Sequence, residues 1–166
     1  DQIDIVRAHA VGAENGLTVP AYMGDVNSID DLTDEANQTI TSIEPGASLI
    51  DQANDMLDIY PNLSEWDLQV SSTGAMLTAL RQAMANEEEI VITGWRPHWM
   101  FSEFDLKMLE DPREAYGTGE ELLTIARQGL KEENPRAYEI LENFSWEVED
   151  MQQVMLYLQD DMSPTA

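Results

Sequence analysis

Two short stretches carry the residue types from which a small-molecule site can be built. The first is IVITGWRPHWMF at residues 90–101, where four apolar or β-branched residues run into Gly94 and the next seven include two tryptophans, a proline, a histidine and a phenylalanine. A short apolar run closed by glycine reads as a buried strand. In open α/β sheets ligands gather beyond the carboxyl ends of the strands, so Trp95 is the first candidate for a ligand contact. Tryptophan also serves cores and interfaces, and packing is the competing role. The second stretch is Pro45-Gly46-Ala47-Ser48-Leu49, which opens a helix directly after a strand. Such a start presents unpaired backbone N–H groups and a positive dipole end, where a carboxylate can sit. A plain turn and cap is the alternative use of a Pro-Gly helix start.

His98 can donate a hydrogen bond to a carboxylate, yet a lone histidine beside aromatics equally serves as a satisfied structural group, and it is not assigned to binding. Arg96 can balance local acid or clamp a carboxylate. Trp66, Trp99, Met100, Phe101 and Trp146 read as packing residues. Enzyme signatures are missing: no phosphate-cradling glycine loop, no His-x-x-x-His pair and no Gly-x-Ser-x-Gly elbow. The chain has only His9 and His98 as histidines, and among so many carboxylates any choice of an acid/base pair is arbitrary. A non-enzymatic binder without cofactor or metal is the expectation.

The elements that must position these residues alternate strand with helix. Residues 3–8 and 17–22 read as extended segments, with Pro20 demoting the second to an edge or crossover piece. Ser28 can cap a short helix. Residues 39–43 form a strand, followed by a helix whose apolar face is Leu49, Ile50, Ala53, Met56 and Leu57. A strand at 66–70 leads to a helix capped by Ser71 or Ser72, with Ala75, Met76, Ala79, Leu80, Ala83 and Met84 on one side. Residues 90–93 then deliver Trp95. This order predicts a parallel sheet with covering helices. Residues 104–109 read as a return crossover. Asp111-Pro112 and Asn134-Pro135 each place a capping side chain before a proline, and helices are expected over 120–131, 135–143 and 147–158, with 163–166 frayed.

The chain has 166 residues, with 33 acidic against 8 basic and a formal net charge of −25. That is enough for a domain with a real core, and so much negative charge excludes nucleic acid and anionic membranes as partners. The acid reads as a solvated surface typical of a high-salt organism. Such charge repels itself at low ionic strength, so the melting temperature is expected to rise between low and molar salt; an unchanged value would count against this. Cysteine is absent, which removes disulfides and thiolate metal sites. No apolar run could span a bilayer. A start at Asp1 rather than at methionine suggests a processed product or a fragment, with an export signal or lipid anchor lost upstream.

The run GWRPHWMF closely resembles the GW-x-PHWMF signature of the glycine betaine/proline betaine substrate-binding proteins of ABC transporters. GLTVPAYM (16–23) with NSIDDL (27–32), IEPGASL (43–49) and KEENPRAYEILENFSW (131–146) resemble the same family in the same order, over nearly the whole chain. The resemblance implies a type II periplasmic-binding-protein-like α/β lobe, a parallel sheet flanked by helices, with a helical C-terminal segment. It implies a crossover or hinge segment at 1–24, the ligand-binding lobe at 25–110 and the C-terminal segment at 111–166. A quaternary ammonium group cannot be hydrogen-bonded through its cation; it is held by aromatic faces, each contact contributing roughly 0.5–2 kcal/mol. By resemblance Trp95 supplies one wall, and the backbone N–H groups of Ser48 and Leu49 bind the ligand carboxylate. The family pattern has glycine where this chain has Ser48; a backbone contact survives that change.

The chain departs from the pattern in lacking the upstream lobe: no Ala-Trp-Asp strand end and no Trp-Leu-Pro…His segment is present. Half a cage should bind poorly, by roughly a hundredfold or more. The apolar faces read at Leu122, Leu123 and Ile125, at Tyr138 and Leu141, and at Met151, Val154 and Leu158 then need another partner, through self-association or by folding back onto the sheet. The resemblance implies a binding lobe of an importer for glycine betaine or a related compatible solute, outside the cytoplasm, handing ligand to a membrane permease. It also implies either a homo-oligomer or a separate first lobe. The alternative is a truncated lobe without solute binding, acting as an oligomeric structural or sensory module.

Overall fold

The computed structural model describes residues 3–159. Its elements in chain order are β1 (Ile3–Pro20), β2 (Thr39–Thr41), α1 (Ser48–Ile59), β3 (Asp67–Gln69), α2 (Thr73–Asn86), β4 (Val91–Arg96), α3 (Met100–Glu103), β5 (Leu106–Met108), β6 (Glu120–Arg127), α4 (Leu130–Glu133), α5 (Pro135–Asn143) and α6 (Val148–Gln159). They fall into two compact units that interleave along the chain, one of residues 15–95 and 100–118, the other of the described residues within 1–14, 96–99 and 119–166.

The larger unit is the expected α/β lobe. Its strand order is β3-β2-β4-β1-β5, with β2 parallel to both β3 and β4 and β5 antiparallel to β1. Leu17, Val19, Ile40, Val91 and Ile92 are wholly shielded from solvent. From α1 the buried residues are Leu49, Ile50, Ala53 and Met56, the face read from the sequence, with Leu57 half-buried at its margin. From α2 they are Met76, Leu77, Leu80 and Ala83. Ala75 is exposed, so the helix is turned slightly from the expected face and shields the larger Leu77. Burial favours the greater apolar area.

Several start signals hold. Ser28 caps the short 3₁₀ turn Ile29–Asp31 in a reciprocal box with Asp31, whose carboxylate is held below its usual range by the backbone N–H groups of Asn27 and then Ser28. Ser72 accepts the N–H of Ala75 at the start of α2. Asn134 accepts that of Ala137 at the start of α5, with Pro135 in the first turn.

Three expectations are corrected. Residues 17–20 are no edge piece: they belong to one strand with residues 3–16, and they lie between β4 and β5 with Pro20 as the last residue. As the terminal residue, Pro20 can lack a donor without interrupting the ladder. Asp111-Pro112 opens no helix. Asp111 accepts the Tyr60 hydroxyl at 2.6 Å and the N–H of Tyr116 at 2.8 Å, and the left-handed backbone at Glu114 (φ 53°) and Gly117 (φ 81°) turns the chain instead. Arg113 adds to this knot, its guanidinium 4.9 Å from the Tyr60 ring centre and 2.9 Å from Asp30. The Tyr60 hydroxyl is pushed up to about 12 by burial first and then by Asp111.

Residues 120–127, the third correction, form a strand and not a helix. In the smaller unit β6 pairs antiparallel with the first part of β1, from Ile3↔Arg127 to Ala13↔Glu120, with register shifts at three places. Long-range pairing overrides the helix-favouring Glu, Leu and Ala content of EELLTIAR. Gly12 adopts φ 91° beside the last shift, as a bulge permits. Around His9, whose Nδ1 lies 3.0 Å from Thr124 Oγ1, the Phe144 ring stands at 5.8 Å and Trp146 follows at 5.7 Å from Phe144. Ten exposed large apolar side chains belong to this unit: Ile3, Ile5, Val11, Leu123, Ile125, Ile140, Phe144, Val154, Tyr157 and Leu158. None of the eight residues read as needing a partner is buried. Residues 163–166 lie outside the described residues.

Candidate ligand site at the ends of the parallel strands

β2, β3 and β4 run in parallel, so their carboxyl ends share one edge of the larger unit, and both α1 and α2 begin there. A pair of hydroxyls ties the edge together: Ser42 Oγ, just past β2, lies 2.8 Å from Thr93 Oγ1 on β4, both fully buried. Backbone bonds join the two outgoing turns, Ser42 N–H to the Gln69 carbonyl at 2.9 Å and Ser71 N–H to the Ile43 carbonyl at 3.0 Å.

Trp95 lies on this edge, half-buried. Contrary to expectation, β4 does not close at Gly94; it continues through Trp95 to Arg96. Gly94 is there because neighbouring chain comes too near for any side chain. A Cβ at this position would stand 2.2 Å from Thr18 Oγ1 and 3.0 Å from Thr18 Cβ. The residue that signalled a strand end is therefore a point of close approach inside the sheet.

α1 opens at Ala47, which has extended dihedrals and offers no side-chain cap hydrogen bond. Ser48 is exposed and Leu49 buried. The first-turn N–H groups of α1 thus face the edge with no side-chain acceptor drawn onto the cap position. At α2 the situation is the reverse. Ser72 caps it, and Glu44 reaches across from the turn after β2 to accept the N–H of Thr73 at 2.9 Å and its hydroxyl at 2.8 Å. Of two positive helix ends at one edge, one is filled by the chain's own carboxylate and the other lacks a side-chain cap. An arrangement of an indole and an uncapped helix start can hold a small cation bearing a carboxylate, by quadrupole attraction and by backbone donors.

Trp95, Ser48 and Leu49 all belong to the larger unit. Ser42, Thr93, Glu44 and Thr73, which shape this edge, escaped sequence reading because each acts through a partner far away in the chain. Arg96 and His98 belong to the other unit. Arg96 pairs with Glu14 at 3.0 Å, the charge-balancing use of the two considered. His98 is buried, its ring 5.1 Å from that of Trp99, and burial lowers its imidazole from the usual 6.5 to about 4.

A pH dependence follows from this histidine. Below pH 6.5 the unfolded imidazole takes up a proton that the folded one refuses until about pH 4, so acidification through that window favours unfolding. His98→Gln is expected to lose less stability than the wild type between pH 7 and pH 5, measured by urea unfolding at fixed salt. Parallel losses would contradict it.

Among the described residues no group of three His, Asp or Glu side chains is placed to hold a metal ion, and no helix is long and apolar enough to cross a membrane.

Comparisons with known proteins agree on one family. A family model described as the substrate binding domain of ABC-type glycine betaine transport systems matches residues 1–166. A glycine betaine/carnitine transport binding protein of Listeria monocytogenes is 47% identical over 150 residues, 90% of this chain and 49% of that protein. Among solved structures, lactococcal OpuAC in its closed-liganded conformation with glycine betaine is 49% identical, with a TM-score of 0.81 over 98% of this chain and 63% of that one. A glycine betaine/L-proline-binding protein of Borrelia burgdorferi is 28% identical, with a TM-score of 0.76 over 96% of this chain and 61% of that one. The chain therefore spans about half the length of the curated relative and under two thirds of these solved chains.

Proposed function

Because the chain belongs to the family of substrate-binding domains of ABC-type glycine betaine transport systems, we propose that it captures glycine betaine or a related quaternary ammonium compatible solute for import. Trp95 presents an aromatic face to the trimethylammonium group, and the backbone N–H groups of Ser48 and Leu49 receive the carboxylate. The observation that carries this reading is the uncapped start of α1 beside the filled start of α2, on the strand-end edge that also bears Trp95. The ligand leaves unchanged, so the protein is a carrier and not an enzyme. It works outside the cytoplasm, against an ABC permease in the membrane, and supports uptake of osmoprotectants.

One aromatic wall is weak on its own. Further walls belong to the part of the relatives' length that this chain does not span. The exposed apolar side chains of the smaller unit favour a second reading beside this one: a lobe that no longer binds solute and serves as an oligomeric structural or sensory module. Calorimetric titration of glycine betaine at molar salt, run beside sedimentation, separates the two. Saturable heat supports capture; no heat at millimolar ligand with concentration-dependent assembly supports the module.

A further inference from the structure

Glu44 sits in the turn that leaves β2, four positions before the first residue of α1, but its carboxylate is engaged on the other helix. Its Oε2 accepts both donors of Thr73, the N–H at 2.9 Å and the hydroxyl at 2.8 Å. Ser72 independently takes the N–H of Ala75 at 3.2 Å. Between Glu44 and α1 lie only Pro45, Gly46 and Ala47. Gly46 holds φ 91°, with nothing within 4 Å of the place a Cβ would occupy, and the span closes as a turn in which the Ala47 N–H meets the Glu44 carbonyl at 3.5 Å. Its ends are held by Glu44 on α2, by the Ser71 N–H to the neighbouring Ile43 carbonyl at 3.0 Å, and by the Ile50 N–H to the Ala47 carbonyl at 2.9 Å.

We propose that Glu44 is a positioning residue for the carboxylate end of the ligand. By anchoring its turn on the first turn of α2, it fixes where the N–H groups of Ser48 and Leu49 stand, and it fills the one competing helix pole at that edge. The inference rests on the capture reading above. Its physical basis is geometric. An exposed charge contributes little field through water and less at high salt, whereas two hydrogen bonds to a carboxylate keep their direction. The carboxyl is held below its usual range by its own backbone N–H first, then by the Thr73 hydroxyl and N–H, which keeps it an acceptor at neutral pH. The charge is the side effect; the tether is the function.

The test compares two ligands that share the trimethylammonium group, glycine betaine with a carboxylate and choline without one. With Glu44→Ala the dissociation constant for glycine betaine should rise about tenfold, as expected for losing well-placed hydrogen bonds to a charge, while that for choline changes by less than about twofold. Glu44→Gln, which keeps an acceptor for Thr73, should stay near the wild type. Equal weakening of both ligands by Glu44→Ala, or no weakening of glycine betaine, overturns the proposal.

Backbone ¹⁵N order parameters at residues 46–49, recorded without ligand, decide it independently. Glu44→Ala should lower them from about 0.85 toward 0.6 while the middle of α1 stays rigid; unchanged values overturn the proposal. If the wild type binds neither ligand, the capture reading fails, and this second measurement still decides whether Glu44 holds the turn.

Discussion

Trp95→Ala is expected to weaken glycine betaine binding at least about a hundredfold. The indole contributes in two ways. A desolvated cation over its face gains up to about 2 kcal/mol, and methyl groups covering part of the ring remove further apolar surface from water at about 25 cal/mol per Å². For a contact of roughly 50 Å² the second amounts to about 1 kcal/mol, and the sum of about 3 kcal/mol corresponds to two decades in affinity. Trp95→Phe keeps a smaller face and should fall between the two. Trp95 is half-buried in β4, so truncation also costs stability, and the titration belongs well below the melting temperature. If Trp95→Ala bound as tightly as the wild type, the aromatic wall would not be where the ligand lies.

The second large effect concerns the strand that carries this wall. Gly94→Ala introduces a Cβ 2.2 Å from Thr18 Oγ1, 3.0 Å from Thr18 Cβ and 3.4 Å from Met100 Cε. Met100 can move its flexible end. Thr18 is fully buried on the neighbouring strand and cannot. Overpacking of this kind costs about 3 kcal/mol, which for a chain of this size lowers the melting temperature by roughly 6–12 °C. Thr18→Ala tests the cause. Thr18 Oγ1 is buried with no hydrogen-bond partner, so its removal alone should be nearly neutral. Combined with Gly94→Ala it should recover part of the loss, because the nearest clash disappears while the 3.0 Å contact to Cβ remains. Denaturant unfolding of the four proteins at fixed salt reads the coupling directly. Additive effects would mean that Thr18 is not what forbids a side chain at position 94.

What could be read from the sequence was local. The faces of α1 and the caps at Ser28, Ser72 and Asn134 follow from spacing and from side chains that bond their own neighbours. The family was legible because its motifs run through nearly the whole chain, and it led to Trp95, Ser48 and Leu49 as expectations. What failed depended on distant partners. EELLTIAR has the composition of a helix, and only the first part of β1, more than a hundred residues earlier, makes it a strand. Asp111 before Pro112 looks like a cap until Tyr60 and Tyr116 claim its two oxygens. Gly94 signalled a strand end, while its reason is Thr18 across the sheet. The Ser42–Thr93 pair and the Glu44–Thr73 bonds carry no local signature. Their partners are 51 and 29 residues apart in sequence.

NMR titration of the ¹⁵N-labelled wild type with glycine betaine at molar salt shows whether one edge of the larger unit receives both ends of a betaine. Saturable shifts are expected for the Trp95 indole N–H and for the Ser48 and Leu49 amides, following one binding curve, with Trp66 and Trp146 unmoved. Shifts confined to other residues, or none at these three up to tens of millimolar ligand, would contradict capture at this edge.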